Sequence, residues 1–398
     1  MLSYFLNCTS ASMAWGALHL LAFFLLCFIV VGLDVVVPVN QSVRVAQDNT
    51  DNFNTIGEAI TFALNNTLLH HLHQRRGVPG ERDHAQEENE PYFDCSSIAA
   101  LINGVGLRQC YGMESGTDNF NTIGEAIAFA PNDTTVEEGG YFAIYVNEGA
   151  YRENVFVPEI KKNLILIGAG ADRTVITSNR NVEDGWETYD IATFGSVHCP
   201  QDMTFENTAG SAKQQVVAMR NNADLSIFYR CKFLGYQDTL YVHSNNQFYR
   251  DCEVHGTIDF IFGDATAVFQ NCHIYARLSL QGQVNVVTAQ GRTLYNESIG
   301  FSIHNCTIGA ASELVAANYS MKTFLGRPWK EFSRTVYMQS YIEGIVEAAG
   351  WMTWNGSFAL NRLYYGEYQN YGPGAATSGR VQCPGYRLMN VTDVYLHP

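Results

Sequence analysis

Asp259 lies inside Gly256-Thr-Ile-Asp-Phe-Ile-Phe-Gly263, an apolar, strand-like run where a carboxylate is costly unless it has a partner. Asp238, in Gly235-Tyr-Gln-Asp-Thr-Leu-Tyr241, stands 21 residues earlier. Two nearby carboxylates repel, so one keeps its proton while the other ionises, which supplies an acid and a nucleophile or base in one site. Gln215 precedes Asp238 by 23 residues, and a glutamine amide N–H can donate to a developing oxyanion. Arg327, in Leu325-Gly-Arg-Pro-Trp329, offers a planar fork that could hold an aspartate ionised, with Trp329 as an apolar platform. Spacing alone leaves the plainer readings open: aspartates that cap turns, a solvent-facing strand glutamine, and a surface loop.

For these residues to meet, the chain must bring positions 21 apart onto one face. Phe228-Tyr-Arg-Cys-Lys-Phe, Phe248-Tyr-Arg-Asp-Cys-Glu-Val and Phe269-Gln-Asn-Cys-His-Ile recur at a period of 20 to 21 residues, with Cys231, Cys252 and Cys272 in equivalent places. One short strand group and an Asn-rich turn per repeat suggest coils of a parallel β-helix, each burying its apolar edge against the next. Asp238 and Asp259 then stack on neighbouring turns. Leucine-rich repeats share the period, but no regular Leu-x-x-Leu-x-Leu pattern appears. Runs of β-branched and aromatic residues between Gly, Asn and Asp predict strands at Tyr141–Val146, Asn163–Ile167, Gln215–Met219 and Leu225–Phe228.

The 398 residues could hold two or three domains, and a composition 46% hydrophobic and 16% charged excludes a disordered chain. With 24 Lys plus Arg against 39 Asp plus Glu, the net charge of −15 argues against a nucleic-acid partner. From Ala14 to Gly32 the chain is apolar apart from Trp15 and His19, so residues 1–33 read as a signal peptide, with a retained signal anchor as the alternative and a buried core helix as the bland one. Either of the first two sends the rest into the secretory pathway. Asn-x-Ser/Thr sites beginning at Asn132, Asn296, Asn305 and elsewhere, together with ten cysteines, agree with export as a glycosylated, disulfide-bearing protein. The decapeptide Asp-Asn-Phe-Asn-Thr-Ile-Gly-Glu-Ala-Ile occurs at Asp51–Ile60 and again at Asp118–Ile127. Between the copies, His70–Gln109 is polar and lacks periodicity, and is read as a disordered insert. His70, His71 and His73 have no Cys or carboxylate partners at ligand spacing, so no metal site is expected. Residues 34–117 thus form an irregular segment and 118–398 the catalytic domain; of the two copies, Asp118–Ile127 is expected to join the β-helix.

Taken in order and spacing, Gly149-Ala-Tyr-Arg-Glu153, Thr204-Phe-Glu-Asn-Thr-Ala-Gly210, Gly235–Tyr241, Gly256–Gly263, Leu325–Trp329 and Tyr371-Gly-Pro-Gly-Ala-Ala-Thr-Ser-Gly-Arg380 resemble the plant pectinesterases, from about Asp118 to Arg387. The resemblance implies an all-β, right-handed parallel β-helix of roughly 20-residue coils. It makes Asp259 the nucleophile, Asp238 the acid and base, Gln237 and Gln215 the oxyanion stabilisers, and Arg327 the partner of the nucleophile. Thr188, Gln215, Arg327 and Trp329 match substrate-contacting positions, with Tyr241 and Phe262 lining the cleft. It further implies a secreted, wall-located monomer that hydrolyses methyl esters of homogalacturonan without a cofactor, with proteinaceous pectinesterase inhibitors as further partners. Some positions depart from the family pattern. Gly195–Asp202 reads about three residues short, which places one coil at risk; Gln214 stands where His is common; and the chain stops at Pro398, read as a C-terminal truncation.

The alternatives from other classes are a catalytically silent wall-binding homologue and another pectin-active β-helix enzyme, a lyase or a glycosidase. A serine esterase is disfavoured because no Gly-x-Ser-x-Gly occurs. Cys252 and Cys272, on adjacent repeats, are expected to form a disulfide, with Cys231 and Cys306 as alternative partners.

Overall fold

A computed structural model describes residues 110–113, 120–133, 142–317 and 321–396. The leader at 1–33, the first repeat copy Asp51–Ile60 and the insert His70–Gln109 lie outside the described residues. Among the described residues, short strands form three sheets of 11, 7 and 8 strands, and in each the spatial order follows the chain order. Neighbours pair in parallel, Met219 with Leu240 and Leu240 with Ile261, a step of 21 residues each time. Each coil therefore lays one strand on each wall, and the walls close into a parallel β-helix.

The repeat has a physical origin at the turn between the 11-stranded and 8-stranded sheets. Arg230, Asp251, Asn271, Asn305 and Gln339 all take left-handed backbone conformations, with φ between 50° and 54°. Asn and Asp tolerate that region best, because a short polar side chain bonds locally. The residue that follows each, Cys231, Cys252, Cys272, Cys306 or Ser340, then turns inward and is buried. Two residues upstream of the turn position, the rings of Phe228, Tyr249 and Phe269 stack in a column with centroids 4.6 Å apart. Tyr249, not Phe248, is the register partner of Phe228, since the second repeat carries one extra residue before its cysteine.

The bridge expected between Cys252 and Cys272 is not formed, and both are free thiols, as are Cys231 and Cys306. Each thiol donates to the carbonyl two residues before it and to a carbonyl of the preceding coil: Cys252 to Arg250 and Phe228, Cys272 to Gln270 and Tyr249. Side chains repeated at one place on successive coils run parallel, whereas a disulfide needs a near-perpendicular twist across its sulfurs.

The second repeat copy supplies a helix, Ile123–Phe129, which packs Ile123, Ala126 and Ile127 into the core. Thr122 Oγ1 accepts from Glu125 N–H at its start, and Glu153 accepts from Ile123 N–H and Gly124 N–H. A carboxylate there meets the unpaired donors and the positive end of the helix, which gives the last residue of Gly149–Glu153 a structural role. The first sheet begins with Cys110–Met113, paired to Phe142–Val146, ahead of the boundary placed at Asp118. Gln215–Met219 is not a strand: the Ser211–Lys213 turn and left-handed Gln214 delay regular pairing until Met219–Asn221. The coil at risk is complete, with Phe194–Gly195 and Cys199–Gln201 both paired to their neighbours. Later coils lengthen, from Ala267↔Phe301 to Phe301↔Thr335, a step of 34 residues each, and their extra residues form loops outside the walls.

Candidate active site

The 7-stranded sheet presents an outward row in register, Tyr241, Phe262 and Ala289, which forms the floor of a cleft of about 890 Å³. Tyr241 and Phe262 stack at 4.3 Å, and Trp329 meets Phe262 edge-on at 6.0 Å. Gln237, Asp238, Asp259 and Arg327 line the same cleft. Asp238 and Asp259 each occupy the left-handed region, with φ of 62° and 52°, just before their strands. Backbone held there costs energy that the packed coils on either side must over-determine. Asp238 N–H donates to Ile258 C=O at 3.0 Å, which locks the two turns together one coil apart.

Arg327 grips Asp259 with two parallel bonds, Nε to Oδ1 at 2.8 Å and Nη2 to Oδ2 at 2.7 Å. It reaches Asp259 from the strand Thr323–Gly326, whose close packing depends on Gly326. A Cβ at that position would fall 2.3 Å from Thr288 Oγ1. Thr288 also accepts Arg327 N–H at its carbonyl, at 3.0 Å, and donates its hydroxyl to Leu325 C=O at 2.9 Å. Leu325–Trp329 is therefore a docking sequence and not a loose surface turn.

The two carboxyls differ in environment. Burial pushes Asp238 well above the usual carboxylate range, the Asp259 charge pushes it further, and Arg327 only partly offsets this. Burial also raises Asp259, and its two bonds from Arg327 offset part of that rise. Of the two, Asp238 is thus the carboxyl whose environment favours keeping a proton, and Asp259 the one whose environment favours the charge. Gln215 and Gln237 form an isolated bridge between adjacent coils, with Val216 N–H donating to Gln237 C=O at 2.9 Å. The Gln215 side-chain oxygen is buried without a hydrogen-bond partner.

Every residue singled out from the sequence, Thr188, Gln215, Gln237, Asp238, Tyr241, Asp259, Phe262, Arg327 and Trp329, lines this one cleft. Sequence reasoning missed Trp186, Tyr189 and Trp354, which also line it. Trp354 lies 4.5 Å from the Arg327 guanidinium, face to cation, and comes from one of the long loops that no repeat predicts. Aromatic residues within the polar stretch Glu183-Asp-Gly-Trp-Glu-Thr-Tyr189 were the available signal for the other two. Among the described residues no group of three or more His, Cys, Asp or Glu is placed to hold a metal ion, and no helix is long and apolar enough to cross a membrane.

Residues 111–396 match the family model described as Pectinesterase. The chain is 57% identical over 284 residues to "Probable pectinesterase/pectinesterase inhibitor 41" of Arabidopsis thaliana, covering 70% of this chain and 49% of that protein. It thus spans about half the length of that curated relative. The solved structure of pectin methylesterase from carrot superposes with a TM-score of 0.69 at 49% identity, covering 73% of this chain and 91% of that one. A pectin methylesterase solved in complex with hexasaccharide VII matches at 26% identity with a TM-score of 0.59, covering 73% and 95%. On its family match and its close relatives alike, this chain belongs to the pectinesterase family.

Proposed function

We propose that the protein hydrolyses the C6 methyl esters of galacturonate residues in cell-wall pectin, releasing methanol and leaving carboxylates. Asp259 attacks the ester carbonyl, and the negative charge moves onto the carbonyl oxygen, where the Gln215 and Gln237 amides donate to it. Protonated Asp238 gives its proton to the departing methoxide, and an acyl-enzyme on Asp259 remains. Asp238, now ionised, takes a proton from water, whose oxygen attacks the acyl carbon; Asp259 leaves as carboxylate and Asp238 is again protonated. Arg327 keeps Asp259 ionised and aimed, while Thr188, Tyr241, Phe262 and Trp329 provide the walls and apolar platforms for the sugar rings.

The observation that carries this reading is the bidentate Arg327–Asp259 pair beside a buried Asp238, whose pKa burial pushes up, in one cleft. The saccharide bound to a related enzyme supports a pectin chain as its occupant. Action at the wall, a monomeric state and susceptibility to proteinaceous pectinesterase inhibitors belong to the same reading. Its test is methanol release from esterified pectin: the secreted chain should release it, and Asp259→Ala should lose at least about 10³-fold of that rate while still folding, the scale seen when a nucleophile is removed. Undiminished release by Asp259→Ala would move the nucleophile elsewhere.

A further inference from the structure

Beyond Tyr241 the outward row of the cleft sheet continues in register through Arg220, Gly195 and Phe156. Arg220 is 2% exposed. Its guanidinium lies over Gly195, where a Cβ would stand 3.6 Å from Nη2 and 2.9 Å from the Phe156 ring. The Tyr189 ring covers it at 3.5 Å and Phe156 flanks it at 5.3 Å. No carboxylate among the described residues forms an ion pair with it, and its Nε and Nη1 have no hydrogen-bond partner. Aromatic faces offset part of the cost of burying a cation, but they leave its net charge uncompensated. That charge is felt nearby: with burial as the larger cause, it lowers the pKa of His243, whose ring packs between Tyr189 and Tyr241. Tyr189 and Tyr241 both line the cleft, so one end of the cleft sits over an unpaired positive charge while the reacting end holds an internally paired one.

We propose that Arg220 is a specificity-determining residue, whose field makes the cleft beyond Tyr241 prefer a galacturonate carboxylate to its methyl ester. The inference rests on the pectin-esterase reading above. Tyr189 lies between the guanidinium and the cleft, so Arg220 acts across that ring and not by direct contact. A charge pair several ångströms apart in a partly screened site is worth about tenfold in binding. An ester, being neutral, gains none of it.

The test compares two ligands of equal length on the full chain: the KM for a fully methyl-esterified oligogalacturonide and the Ki of the unesterified oligomer as its competitive inhibitor. For Arg220→Met the ratio of Ki to KM should rise about tenfold, and Arg220→Lys, which keeps the charge but loses the flat stacking, should hold the wild-type ratio. Arg220→Gln serves in place of Arg220→Met if the latter fails to fold. A parallel rise of Ki and KM would show that Arg220 only props the Tyr189 wall, and an unchanged ratio would show that its charge is not felt; either overturns the proposal. If the wild type releases no methanol, the esterase reading has failed on its own. Calorimetric binding of the unesterified oligomer to wild type and Arg220→Met then still decides the role of the charge, with weaker binding to Arg220→Met expected and equal binding contrary to it.

Discussion

Asp238 carries a conflict between stability and chemistry. Its proton is useful because burial and the Asp259 charge hold its pKa up, and the same causes make its ionised form costly to the fold. The folded protein therefore binds that proton more tightly than the unfolded chain, whose carboxyl titrates near the ordinary 3.8. The stability this contributes is fully present below that value and is lost as pH rises through the raised value of the folded state. Asp238→Asn cannot ionise, so it should melt higher than wild type at neutral pH, with the gap closing toward pH 3; paired thermal melts across that range check it. The same substitution removes the proton donor, and acylation should slow by about 10²- to 10⁴-fold. A variant neither more stable nor slower would mean that Asp238 is neither buried at a cost nor the acid.

At the level of elements, the strand Thr323–Gly326 is the delivery arm for Arg327, and its position depends on how closely it can lie against Asn285–Gln290. Gly326→Ala puts a methyl group 2.3 Å from Thr288 Oγ1 and 3.1 Å from the Thr288 carbonyl oxygen, so strand or side chain must move. Overpacking of this kind costs about 1–3 kcal/mol, and a displaced Arg327 should lower kcat more than it raises KM. Thr288→Ala removes the nearer obstacle, and the double variant should recover part of both losses in a double-mutant cycle; strictly additive losses would count against the contact. This dependence could not be read from Leu325–Trp329 as letters, because it takes a partner 38 residues away. What the letters did carry was periodic: the 21-residue spacing of Asp238 and Asp259 is the coil length itself, and the polar residue before each repeated cysteine is the left-handed turn that sends the cysteine inward. Non-periodic features escaped. The helix Ile123–Phe129 is closed by Glu153, a remote residue, and the cleft walls at Tyr189 and Trp354 come from loops with no repeat to place them. The cysteine bridge was misjudged for a related reason, since equivalent places in a repeat imply stacked side chains and not convergent ones.

Across the whole molecule, a solenoid has only nearest-neighbour interfaces, so its last coils must be fastened by something other than distant contacts. Here a buried ion pair does it. Glu367, in the strand Tyr364–Tyr368, and Arg380, at the end of the Tyr371–Arg380 motif, are each 1% exposed and joined by Nε to Oε1 at 2.8 Å and Nη2 to Oε2 at 3.1 Å. Arg380 also donates to Gly374 C=O and Ala348 C=O, and Trp351 Nε1 donates to Glu367 at 3.1 Å. One guanidinium thus ties two loop segments, at Ala348 and Gly374, to the strand Tyr364–Tyr368, and the first of these loops continues from Trp351 to Trp354 over Arg327. Removing one partner of such a pair strands a buried charge, a loss of about 3–5 kcal/mol. Arg380→Met should therefore unfasten the end of the solenoid before its middle. Hydrogen exchange should quicken first across Tyr364–Tyr368 and Tyr386–Leu388, with Leu240–Val242 and Ile261–Gly263 still protected, and methanol release should fall as Trp354 loses its place beside Arg327. Uniform loss of protection over all coils would mean that the molecule unfolds as one cooperative block and that the pair has no local fastening role.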